Sequence, residues 1–116
     1  MQVSTGCSAL DSLIGGGIES GTITELYGGG GTGKTNLCLQ LTKNVALDEN
    51  KVIYLDTEGV SMERLKQLAD DKYEKVMKNT LIFKAHSFDE QEESLEKIEK
   101  LALKKEMNIG MIIVDS

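Results

Sequence analysis

Proline and tryptophan are absent from this 116-residue chain, and aromatic residues are scarce, with three Tyr and two Phe. Cysteine is almost as rare. Cys7 and Cys38 stand too far apart to form a metal-like or redox-like pair, which points to a reducing, cytosolic setting. Cys38 is most simply a small core residue. No stretch is long and apolar enough to span a membrane, and Met1-Gln2-Val3-Ser4 does not look like a signal peptide, so a cytoplasmic protein without a membrane partner is expected. Positive charge is lacking too. A net charge of -6 argues against strong non-specific attraction of this segment to nucleic-acid phosphate. The acids are spread along expected helices, as solvated faces are. Arg64 is the only arginine and His86 the only histidine. His86 has no triad partners that can be placed and reads as a loop or cap residue. There are no repeats and no linker, and the length suits one small domain.

Glycine, by contrast, is abundant, and it concentrates where it matters. Gly28-Gly29-Gly30-Gly31-Thr32-Gly33-Lys34-Thr35 fits G-x-x-x-x-G-K-[ST], the phosphate-binding P-loop. Glycines allow positive φ and close approach of the backbone to a ligand. Their N–H groups form a nest that favours anions, and the helix that follows adds its own unpaired N–H groups and dipole. Lys34 can reach the β- and γ-phosphates, and the Thr35 hydroxyl can ligate Mg²⁺. Asn36 follows directly and joins Gly28 to Thr35 as a nucleotide-contacting candidate.

The flanks supply the context that the motif needs. Residues 22–27 read as a strand and 35–47 as a helix, with Leu37, Leu41 and Val45 on one face and Cys38 beside them. Before them, Cys7 to Ile14 reads as a short helix with Ala9, Leu10, Leu13 and Ile14 as its apolar face, ended by Gly15-Gly16-Gly17. After them come strands over 52–56, 80–85 and 111–115, the last apolar throughout until its acid. Ser61 is placed to cap a helix containing Met62, Leu65, Leu68, Ala69, Tyr73 and Val76, which Asp70-Asp71 weakens midway. Ser87-Phe88-Asp89-Glu90 has capping-box spacing and opens a charged helix with Leu95, Ile98, Leu101, Ala102 and Leu103 inward. Strands alternating with helices predict an α/β fold, a parallel sheet with helices on both faces. The sequence stops directly after a strand, so residues 1–116 are expected to form the N-terminal part of one domain.

Three strand ends then meet on one edge of the sheet, where such folds bind ligands. Asp115, after an apolar run, has the pattern of a carboxylate that holds Mg²⁺, often through water. Glu58 is a candidate general base that orients water toward a γ-phosphate. Asp56 reads as a turn or supporting acceptor. Arg64 lies early in the next helix, where its plane could stack on adenine. Asp56-Thr57-Glu58-Gly59 also matches the GTPase pattern D-x-x-G; the spacing from Thr35 to Asp56, with room for one helix and one strand but not for a switch loop and an extra strand, argues against it and leaves a GTPase as a minor alternative.

These residues resemble the RecA/RadA recombinase superfamily, and most closely its archaeal RadB group. The resemblance is carried by Ser4-Thr5-Gly6, residues 10–18, Thr24-Glu25-Leu26-Tyr27-Gly28, the P-loop, Tyr54-Leu55-Asp56-Thr57-Glu58 and Ile113-Val114-Asp115-Ser116, in order over essentially the whole chain. It implies a RecA-like P-loop NTPase that binds ATP with Mg²⁺, hydrolyses it weakly in a DNA-dependent way, and acts in DNA repair and recombination. It implies that Lys34 and Glu58 are catalytic, that Thr35 and Asp115 serve the metal, and that Arg64 packs on adenine. Residues 59–64 are about one residue shorter than in full recombinases and lack their Arg-Pro pair. No helical domain or polymerisation linker is expected before Ser4, and the DNA-contacting loops are expected beyond Ser116, with repair proteins as further partners. The alternatives are an ATP-dependent scaffold for repair partners without significant turnover, and a clock- or helicase-type ATPase of the same superfamily.

Overall fold

A computed structural model describes residues 2–19, 33–57, 59 and 62–115. The expected strand over 22–27, the loop residues Gly28 to Thr32, the general-base candidate Glu58 and the cap Ser61 lie outside the described residues.

The chain opens with a two-residue strand, β1 (Gln2–Val3), paired antiparallel with β2 (Ile18–Glu19). Between them runs α1 (Ser8–Leu13). This hairpin-like unit is held by Asp11. Its carboxylate accepts from the Ser4 hydroxyl at 2.5 Å, the Thr5 hydroxyl at 2.6 Å and the Thr5 backbone N–H at 2.8 Å. Those bonds hold the Asp11 carboxyl below its usual range, the Ser4 hydroxyl contributing most. The expected apolar face of α1 is not a core face. Leu13 is 82% exposed and Ile14 44% exposed, so polar clamping by Asp11, and not burial of α1, orders this segment.

Next comes α2 (Lys34–Leu47), then β3 (Lys51–Asp56), α3 (Met62–Ala69), a 3₁₀ turn (Asp70–Lys72), α4 (Tyr73–Lys78) and β4 (Thr80–Lys84). The break between α3 and α4 falls on the expected acidic pair, with Asp70 at φ 52°. The second crossover is α5 (Phe88–Ala102), a 3₁₀ turn (Lys105–Met107) and β5 (Ile109–Asp115). Ser87 caps α5, accepting the Glu90 N–H, while the Glu90 carboxylate accepts the His86 N–H at 2.6 Å.

The parallel sheet has the order β4-β3-β5 among the described strands. β4 and β5 lie on opposite sides of β3. Parallel crossovers are right-handed, so the two connections fall on opposite faces. On one face α2, α3 and α4 bury Leu39, Val45, Leu65 and Val76 against Val52, Tyr54 and Ile113. On the other, Ile98 of α5 meets Ile53, Leu55 and Ala85.

Two further burial expectations need correction. α2 is buried on more than one side: Leu39, Leu41, Thr42, Val45 and Ala46 are all buried, because the helix lies between the sheet and the α3–α4 pair. On α5 the inward stripe is Ser94 and Ile98, with Leu101 partly buried. Leu95 is 43% and Leu103 77% exposed, and Ala102 is exposed too. Among the described residues α5 rests on β3 and β4, and Ile112 and Val114 on the same face of β5 are exposed.

Candidate functional site

Backbone register brings the site together. β3 and β5 run parallel with Asp56 beside Asp115 at their carboxyl ends. α2 begins at the same edge. Its N-cap, Gly33, takes φ 84°, a left-handed conformation that glycine adopts without a Cβ penalty, and it offers no side chain to cap the helix. The first turn of α2 contains no acid and begins with Lys34. A cation at the positive end of a helix dipole is unfavourable unless an anion lies nearby.

Thr35, the second residue of α2, donates its hydroxyl to Asp115 Oδ2 at 3.1 Å, across 80 residues of sequence. Lys34 is close enough for its charge to act on the same neighbourhood. Burial first, and then the charge of Asp115, push the Cys38 thiol up to about 11 against the opposing charge of Lys34. The structure therefore assembles three of the expected residues, Lys34, Thr35 and Asp115, at one sheet edge.

Asp115 is only 5% exposed, and a buried carboxylate needs donors. β3 supplies them. The Tyr54 hydroxyl donates to Asp115 Oδ2 at 2.8 Å. Thr57 donates both its N–H and its hydroxyl to the Asp115 backbone oxygen, at 3.1 and 2.9 Å. Burial, then the hydrogen bond to Asp115 and its charge, lift the Tyr54 phenol far above its ordinary value, so it remains a donor. Asp56 performs the expected turn role: its Oδ1 accepts the Gly59 N–H at 2.9 Å.

Arg64, third residue of α3, is exposed, and its Nε donates to Asn36 Oδ1 at 3.0 Å. Its other arm reaches Gln67 Oε1 at 3.1 Å. Arg64 and Asn36, two expected nucleotide contacts, thus touch each other beside the start of α2. Tyr54, Thr57 and Gln67 were not legible as site residues. The signal for Tyr54 was its parity with Asp56, which places it on the α2 face one diagonal from Asp115.

The chain matches the model of the Rad51 family over residues 1–116, its whole length. It belongs to the Rad51 family. Among curated family relatives, the DNA repair and recombination protein RadB of Methanococcoides burtonii is 44% identical over 115 residues, 99% of this chain and 50% of the relative. RadB of Archaeoglobus fulgidus gives 44% over 115 residues with the same coverage. RadB of Methanosphaera stadtmanae gives 46% over 110 residues, 94% of this chain and 47% of the relative. A solved structure described as the crystal structure of the RadB recombinase superposes with a TM-score of 0.82 at 37% identity, over 97% of this chain and 50% of that one. The fold is RecA-like α/β, as the sequence implied. The chain spans about half the length of the curated relatives that it matches. No helix among the described residues is long and apolar enough to cross a membrane.

Proposed function

We propose that residues 1–116 are the nucleotide-binding part of a RadB-like ATPase of DNA repair and recombination, the N-terminal portion of one RecA-like domain. The observation that carries this reading is the Thr35–Asp115 hydrogen bond at the start of α2, beside Lys34. It sets a hydroxyl and a carboxylate, the hard oxygen donors that Mg²⁺ prefers, next to a cation and an uncapped helix N-terminus suited to phosphate. The hydroxyl proton of Thr35 rests on Asp115, so the lone pairs of Oγ1 remain available to a cation. These residues fit Mg²⁺ with a nucleoside triphosphate. Bound Mg²⁺ would neutralise charge that develops on the phosphates.

In this reading Gly28 to Gly33 hold phosphate through backbone N–H groups, and Lys34 supplies the positive charge at the β- and γ-positions. Thr35 and Asp115 hold the metal, and Glu58 orients and deprotonates the attacking water. Asn36 fixes Arg64, whose guanidinium plane covers the base. Contacts with DNA and with repair partners are assigned in this reading to regions beyond Ser116; the relatives are named for DNA repair and recombination.

Binding of a fluorescent ATP analogue in Mg²⁺ tests this. Saturable binding is expected. Lys34→Ala should weaken it at least about tenfold, the scale of a lost hydrogen bond to a charged group. Glu58→Gln should keep binding and lower phosphate release about 100-fold, the scale of a general base. Binding indifferent to Lys34→Ala, or turnover indifferent to Glu58→Gln, would contradict the assigned roles.

A further inference from the structure

The expected set of phosphate- and metal-facing residues leaves Tyr54 out, yet among the described residues it makes the shortest side-chain bond to Asp115. We infer that Tyr54 is a positioning residue for the metal carboxylate: its hydroxyl, reaching from the interior of β3, sets the orientation in which Asp115 meets a divalent cation. This deepens the functional reading above and rests on it.

The geometry is specific. Tyr54 is 2% exposed and pairs with Ile113 in the sheet, two residues before Asp115 on the same face. A diagonal neighbour at that spacing is within reach of a long aromatic side chain and out of reach of a short one. The tyrosine hydroxyl and the Thr35 hydroxyl both donate to the same oxygen, Oδ2, at 2.8 and 3.1 Å. Two donors on one oxygen fix the carboxylate's rotation about its Cβ–Cγ bond. The other oxygen, Oδ1, then carries the remaining acceptor capacity for a cation or its water. Thr57 pins the backbone of the same residue through two further bonds, so Asp115 is held at its side chain from β3 and at its main chain from the residue that follows β3. A buried phenol needing a partner could have been satisfied by any backbone carbonyl. Here it is spent on the carboxylate that also accepts from Thr35.

The consequence is selective. Tyr54 is not among the groups assigned to phosphate in the functional reading, so nucleotide affinity without metal should not depend on it. The Mg²⁺ dependence should. In Tyr54→Phe of this chain, the Mg²⁺ concentration that half-saturates the gain in ATP-analogue affinity should rise about tenfold, one hydrogen bond to a charged group. Affinity in EDTA should stay within about twofold, less than 0.5 kcal/mol at that conversion. A merely structural tyrosine would shift both values together or neither. As a measurement that needs no folded variant, 3-fluorotyrosine can be incorporated and its ¹⁹F resonance at position 54 followed. It should move when Mg²⁺ is added to the ADP-bound chain and stay put when ADP is added in EDTA. An unchanged Mg²⁺ midpoint in folded Tyr54→Phe, or a Tyr54 resonance blind to Mg²⁺, would overturn the inference and leave the nucleotide site standing. A parent chain that binds no nucleotide would overturn the functional reading, and this inference with it.

Discussion

Cys7 and Cys38 are chemically the same and should behave differently. Cys7 is exposed, whereas Cys38 is partly buried beside Asp115 with its thiol pushed up to about 11. At pH 8 about one Cys38 thiol in a thousand is then thiolate, the reactive form. A thiol-reactive dye should label Cys7 promptly and Cys38 at least about 100-fold more slowly; equal rates would show that Cys38 is not held in this environment. The sign of its contribution to stability follows. The folded thiol keeps its proton above the ordinary 9.0, where the unfolded chain gives it up, so stability is lost as pH rises from about 9 to about 11. Cys38→Ala should flatten that decline. Asp11 works in the opposite direction. Its folded carboxyl is held below the ordinary 3.8, so its stabilising effect is present above that value and fades as pH falls through the folded one. Urea unfolding of Asp11→Ala should show a deficit at pH 6 that shrinks in acid; a deficit constant with pH would mean that the charge is not what matters.

At the scale of elements, local chemistry was legible and burial was less so. The cap at Ser87 and the weak point at Asp70-Asp71 follow from side chains competing with or completing the helical backbone, which needs no tertiary context. Both are present. Removing the first, in Ser87→Ala, should cost about 1 kcal/mol in denaturant melts. An effect under about 0.3 kcal/mol would show that Glu90 alone suffices at that helix start. The faces of α1, α2 and α5 were harder, because periodicity says which residues share a side and not what covers it. Leu13 shares a side with other apolar residues and is exposed; Leu39 lies off the expected stripe and is 1% exposed. Only the stacking of α2 between the sheet and α3–α4 decides such cases.

Across the whole molecule, alternation of strands and helices was enough to give the parallel sheet and the edge that carries the candidate site, since right-handed crossovers leave little choice. That edge collects Lys34, Thr35 and Asp115 from positions 80 residues apart. The P-loop motif named Lys34 and Thr35, and the apolar run before Asp115 named the carboxylate. What it could not name was their support, Tyr54 and Thr57, because a hydrogen bond between neighbouring strands depends on register, and register is not visible until the strands are paired. The central claim is that this edge is a nucleotide site in the chain as it stands. Thermal unfolding of the 116-residue chain with and without MgATP, beside Lys34→Ala, tests it most directly. A ligand at about 100 times its Kd stabilises the folded state by about 2.7 kcal/mol. In a domain of this size that raises Tm by about 10 °C, and the rise should be absent in Lys34→Ala. A cooperative transition that MgATP leaves unmoved, or moves equally in Lys34→Ala, would contradict the account.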